Sequence, residues 1–155
     1  MRRKDKQVTD IEVLNSVINS TLVCRIGLVK GDRPYVIPLN FGFDGSNLYF
    51  HSARSGEKVE ILKMNSHICV EFEQDISIIE NEKPCNWGAR YLTVVIHGTA
   101  ELVVDLVEKR YGLVQILEHY KAGGDQYPFT DEEIEPVLVY KVMVEEIIGK
   151  IGGRL

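Results

Sequence analysis

The residues best suited to chemistry are Ser52, Ala53, Arg54, Ser55, Gly56 and Lys58, a short turn inside the stretch "LYFHSARSGEKVEIL". The stretch begins as a strand and ends as a helix. A helix starting near Ser55 or Gly56 leaves its first backbone N–H groups unpaired and aimed at the preceding turn. The helix dipole adds partial positive charge there. Gly56 lets a ligand approach the backbone closely. Ser52 and Ser55 carry hydroxyl donors, and Lys58 a mobile cation. This is the chemistry of a phosphate site built without a Walker pattern. Taken alone, the turn has a second reading, in which Ser55 caps the helix and Lys58 is solvated. The segments "PLNF" and "YFHS" favour a ligand, because they bring Pro38, Leu39, Asn40 and His51 to the same neighbourhood. A strand interrupted by Pro38 lies at an edge or holds a bulge, which frees amides to bond a polar ring. His51, at a strand end, is either a structural histidine or one that faces substrate.

The elements that must position these residues fit one domain over 1–155, with 1–8 as a flexible tail. A composition of 45% hydrophobic and 26% charged residues is that of an ordinary globular chain. The net charge of -5 argues against a nucleic-acid binder. No apolar run approaches the ~18 residues of a membrane span, and "MRRKDK" is not a secretory signal. Cys24, Cys69 and Cys85 are an odd, widely spaced set, so disulfides are not expected and a reducing cytoplasm fits best. No CxxC or HExxH occurs, so no metal site is expected.

Along the chain, Thr9 or Asp10 caps a first helix with Ile11, Leu14, Val17 and Ile18 on one face. "TLVCRIGLVK" and "PYVIPLNFGF" read as strands, "DGSN" as a hairpin turn and "LYFHS" as the return strand. "GEKVEILKMN" is a short helix and "HICVEFEQ" a strand with one buried face. A polar segment with Pro84 and Trp87 follows. Then comes the long strand "RYLTVVIHGTAELVV", bent or bulged at Gly98. Asp105 caps an amphipathic helix, "AGGDQYPFTDEEIEP" is a loop, and "VLVYKVMVEEIIGKI" is the last strand. The order is helix, three strands, helix, two strands, helix, strand. That argues for an antiparallel meander closing on itself with helices at its ends.

The runs "PYVIPLNFGF…LYFHSARSGEKVEIL", "CNWGARYLTVVIHGTAELV" and "VYKVMVEEIIGK" resemble the pyridoxamine 5′-phosphate oxidase-like superfamily. Within it the chain is most similar to the nitroimidazole-resistance (Nim-type) flavin-binding branch. The resemblance implies a mainly β fold, a Greek-key antiparallel split β-barrel that binds FMN at a homodimer interface. It implies that "YFHSARSGEK" holds the FMN phosphate through Ser52 and Lys58, and that Pro38, Leu39 and Asn40 face the isoalloxazine. Trp87 and Tyr91 would cover the flavin from the other subunit, with Thr93 as a polar contact. The oxidases proper carry an arginine just before the lysine. Here that position is Glu57, for which Arg54 or Arg90 would compensate. On the residues alone, Trp87 either packs under its own loop or meets a partner or cofactor. Lys150 reads as a tail charge.

The function expected is an FMN-dependent oxidoreductase acting on small nitroaromatic-like electrophiles, with His51 delivering a proton. The alternatives are a non-catalytic or sensory flavin binder, and a split barrel holding haem or a deazaflavin. Synthesis of pyridoxal phosphate is not expected, since "IGKIGGRL" lacks the tryptophan- and arginine-rich ending of that activity.

Overall fold

A computed structural model describes residues 3–120 and 128–153. The strands are β1 (Gln7–Val8), β2 (Cys24–Lys30), β3 (Arg33–Leu39), β4 (Gly42–Phe43), β5 (Asn47–Ser52), β6 (His67–Ile79), β7 (Gly88–Val103) and β8 (Leu138–Gly152). The α-helices are α1 (Ile11–Ser20), α2 (Glu57–Met64), α3 (Leu106–His119) and the single turn α4 (Asp131–Ile134). All strand pairs are antiparallel, in the order β3-β2-β6-β7-β8-β5-β4, with β1 added to β8. The sheet curls but does not close. Its two edges, β3 and β4, are joined covalently through Asn40 and Phe41, so the split in the barrel lies where the "PLNF" segment crosses.

Local chemistry accounts for most of these elements. The Asp10 carboxylate accepts from the Glu12 N–H at 2.9 Å and starts α1, which turns Leu14, Val17 and Ile18 into the barrel mouth. Ile11, expected on that face, stays exposed. Asp105 caps α3 through the Glu108 N–H at 2.8 Å. In the "DGSN" turn, Asp44 accepts from the N–H groups of Ser46 and Asn47, and Gly45 supplies φ 92°. The ladder of β7 on β8 slips at His97–Gly98, the bulge expected there. A Cβ on Gly98 would meet the Met143 carbonyl oxygen at 2.2 Å, so only glycine fits.

Two clusters hold the fold. Inside the barrel, Ile26, Leu28, Phe50, Val70, Phe72, Val94 and Ile96 alternate inward from four strands. On the outer side of β5 and β8, Tyr49 and Val139 pack against Leu113 and Ile116 of α3 and Ile134 of α4. Gly42 is where α3 touches the barrel. Its Cβ position lies 2.4–2.6 Å from the backbone of Gln115 and Ile116. Backbone cannot yield as a side-chain tip can. Gly42→Ala is therefore expected to cost about 1–3 kcal/mol, read as a lower urea midpoint with an unchanged slope.

Four expectations need correction. Residues 3–8 are not a loose tail: Lys4–Lys6 form a 3-10 turn, and Gln7 and Val8 pair with Lys150 and Gly149. The second predicted strand is two, β3 and β4, because Asn40–Phe41 carries the chain from one sheet edge to the other. The predicted loop "AGGDQYPFTDEEIEP" contains α4, nucleated by a capping box in which Thr130 and Glu133 bond each other reciprocally. Its residues 121–127 lie outside the described residues. Lys150, read as a tail charge, is a β8 residue whose Nζ stands 5.1 Å from the centre of the Tyr91 ring.

Candidate functional site

The turn from Ser52 to Lys58 is an open elbow. β5 ends at Ser52, and α2 begins after Gly56, which is its N-cap at φ 132°, ψ 165°. No side chain caps α2, so Ser55 does not play the capping role. Among the described residues the first N–H groups of the helix have no hydrogen-bond partner. Nothing lies within 4 Å of where a Gly56 Cβ would stand. Ala53, Ser55 and Gly56 are exposed and Ser52 is half-buried. Val59, Ile61 and Leu62 bury the other face of α2 and fix its direction.

Lys58 folds back over the end of β5. Its Nζ lies 3.5 Å from the His51 carbonyl oxygen and 5.4 Å from the centre of the Phe50 ring. Burial holds its ammonium below the usual lysine range, so the cation lacks the solvation an anion would replace. Glu57, the anion where the oxidases carry arginine, is paired. Its Oε1 accepts from Lys30 Nζ at 2.9 Å. Within one copy neither proposed compensator lies beside Glu57. The Arg54 Nε–H donates to the Pro136 carbonyl at 2.9 Å, and Arg90 sits on the far end of β7. Lys30 was not singled out in the sequence, because its partner is 27 residues away. The visible signal is the "KGDR" turn, whose Lys30 and Arg33 flank the β2–β3 hairpin. With Pro34, Tyr35 and Glu57 they line a cleft of about 410 Å³ beside the start of α2.

The "PLN" segment reaches the neighbourhood of Lys58 through Leu39, which pairs with Cys24, a residue that feels the Lys58 charge. β3 is an edge strand, so Pro34 and Pro38 remove no ladder bond that a further strand would need. Leu39 pairs with Cys24, whose buried thiol is pushed up to about 12 and is inert as a nucleophile. The chain crosses at Asn40 and Phe41 and then pairs Gly42 with Tyr49, two residues from His51 on β5. The Tyr120 hydroxyl donates to the Leu22 carbonyl at 2.6 Å and lies 3.4 Å from the Phe41 N–H, pinning this crossing to α3. The backbone of His51 therefore joins the neighbourhood expected of it. Its ring does not turn toward the elbow. Side chains alternate along β5, so His51 shares the α3–α4 side with Tyr49, while Phe50 faces the barrel. There burial, and then Lys58, lower the imidazole below its usual range.

Trp87, Tyr91 and Thr93 are elsewhere in the chain. Ser52 pairs with Leu138 at the start of β8, whereas Tyr91 pairs with Gly152 at its end. From Val103 to Tyr91 is about 40 Å along β7 at ~3.3 Å per residue. Trp87 is half-exposed, with its indole N–H donating to the Asn81 carbonyl at 2.8 Å. The Thr93 hydroxyl lies 3.4 Å from the Lys150 carbonyl, and Lys150 also lowers the Tyr91 phenol from its usual range. One copy of the chain cannot bring these three to its own elbow. Among the described residues no cluster of His, Cys, Asp or Glu could hold a metal. No helix among them is long and apolar enough to cross a membrane.

The family model described as pyridoxamine 5′-phosphate oxidase matches residues 10–151. The chain belongs to that family. A solved structure of a candidate 5-nitroimidazole antibiotic resistance protein from Bacteroides thetaiotaomicron is 31% identical. The match covers 94% of this chain and 86% of that one, with a TM-score of 0.82. Two others share the fold, each with a TM-score of 0.86. The flavocytochrome of Azotobacter vinelandii is 21% identical, over 99% of this chain and 72% of that one. The FAD and haem binding protein of Mycobacterium smegmatis is 19% identical, over 96% and 74%. No curated protein matches the chain. The family's split barrel is thus the fold of this protein, as its motifs implied.

Proposed function

We propose that the protein is an FMN-binding homodimer and an oxidoreductase for small, electrophilic, nitroaromatic-like compounds. The observation that carries this reading is the uncapped start of α2 at Gly56, open to solvent with the desolvated Lys58 beside it. Free amides, two hydroxyls and an ammonium are what a phosphate monoester requires. Lys30 neutralises Glu57 at the rim, so the substitution of arginine by glutamate leaves the elbow without a net negative charge. The residues present fit the group.

FMN, when bound, supplies the electron-transfer chemistry. The chain supplies position. Ser52, Ser55, the α2 amides and Lys58 hold the phosphate, and the Pro38–Asn40 edge lies beside it to bond the ring. Trp87, Tyr91 and Thr93 come from the arm of a second copy, which closes the ring off from water. His51 does not serve here as proton donor, because its ring faces the opposite side of β5.

Freshly purified protein is expected to be yellow, and the flavin released by acid to be FMN. A colourless protein that does not quench added FMN fluorescence overturns the reading, and a Soret band replaces flavin with haem. Anaerobic turnover of a nitroimidazole with NADH or NADPH separates an enzyme from a binding-only protein.

A further inference from the structure

On the far side of β5 from the elbow, Leu113, Ile116 and Leu117 of α3, with Phe129 and Ile134, wall a groove of about 380 Å³. That volume is within the range of small-molecule sites, which combine apolar walls with a few placed polar groups. Among the described residues the groove has two polar side chains, His51 and Glu133. Glu133 is committed: its Oε2 accepts from the Thr130 N–H at 2.8 Å and from the Thr130 hydroxyl at 3.1 Å. These bonds hold its carboxyl below the usual range and leave a fixed negative charge at the rim. The His51 ring is uncommitted. Among the described residues no hydrogen bond holds it, and the residue lines the groove from its partly exposed side. Partial desolvation, and then Lys58, hold the imidazole below its usual range, and a neutral imidazole accepts a hydrogen bond at one nitrogen.

We propose that this groove is a binding site for one flat, uncharged aromatic molecule whose N–H or O–H donates to His51. The walls favour apolar rings. The Glu133 charge disfavours anions, and the imidazole offers no compensating cation. A groove of this size suits a molecule of two or three rings. The site is separate from the flavin elbow, since alternation along β5 puts the two on opposite faces.

The test uses N-phenyl-1-naphthylamine, an uncharged probe with one N–H, and 8-anilinonaphthalene-1-sulfonate, the same ring skeleton with a sulfonate. Equilibrium dialysis against the full chain at pH 7.5 is expected to show one N-phenyl-1-naphthylamine per chain, bound at least tenfold tighter than the sulfonate. Leu117→Trp fills the groove from a partly exposed position and removes binding. His51→Phe keeps the ring and volume but loses the acceptor, weakening binding about fivefold. Glu133→Gln narrows the gap between the two probes. Saturating FMN leaves the affinity unchanged, and flavin-free protein binds equally well, so this site and the flavin reading fail independently. Equal affinity for the two probes, indifference to both Leu117→Trp and His51→Phe, displacement by FMN, or no binding overturns the proposal.

Discussion

Lys58→Ala is expected to lower FMN affinity about 10- to 100-fold while leaving riboflavin within about twofold. A hydrogen bond to a charged group is worth about 1.5–3 kcal/mol, and riboflavin has no phosphate to lose it. Isothermal titration of the two flavins against wild type and variant gives the answer. Equal weakening of both removes the phosphate from the elbow. The pH dependence follows from the same side chain. In the free protein, burial holds the Lys58 ammonium below its usual range. A bound phosphate dianion favours the charged form and raises it. Between the two values binding takes up a proton, so FMN affinity falls as pH rises through that window. On the acid side the phosphate itself gains a proton near pH ~6, and affinity falls again. The profile is a bell whose alkaline limb disappears in Lys58→Ala.

The parts of this site that were legible in the sequence are those set by local backbone chemistry. A strand, a glycine and an apolar helix face in immediate succession fixed the elbow at Ser52–Lys58, and Gly56 is indeed the helix N-cap. Pro38 announced a sheet edge because proline cannot donate to a ladder, and β3 is that edge. Asp10, Asp105 and the "DGSN" turn act through partners two or three residues away.

What was missed depends on contacts between distant segments. The pairing of Gln7 with Lys150 is a tertiary event that a two-residue strand does not advertise. Lys30 and Glu57 meet only because the β2–β3 hairpin lies against the start of α2. The direction of the His51 ring depends on whether β5 offers its odd or even residues to the barrel. That parity is set by its register on β8, not by its own sequence. The turn α4 was different. "TDEE" carries a complete capping box from Thr130 to Glu133, and the surrounding Gly, Pro and Asp residues masked it as loop.

Ile78→Asp tests the other half of the site. Past the Gln74↔Leu92 pair, Asp75 adopts φ 56°, the register shifts, and β6 and β7 continue as a two-stranded arm beyond the barrel. A lone hairpin is marginal in water. This one also shows solvent its apolar side chains: Ile76 is 59% exposed, Ile78 65% and Trp87 52%. Large apolar residues exposed together in one ribbon mark a candidate protein–protein surface. Tyr91 stands at the base of this arm and Thr93 just inside the barrel ladder, at the same end of β7, and one copy cannot deliver either to its own elbow. A second copy can deliver them if the arm lies across the neighbour's split. An aspartate placed in such an interface must be desolvated without a partner, whereas in a single chain it stays in water. The variant is therefore expected to sediment as a monomer, to bind FMN at least tenfold more weakly, and to keep the stability of its barrel within about 0.5 kcal/mol. A variant that stays dimeric means the arm is not the interface. A monomer that binds FMN as tightly as wild type means the cofactor is held by one chain alone.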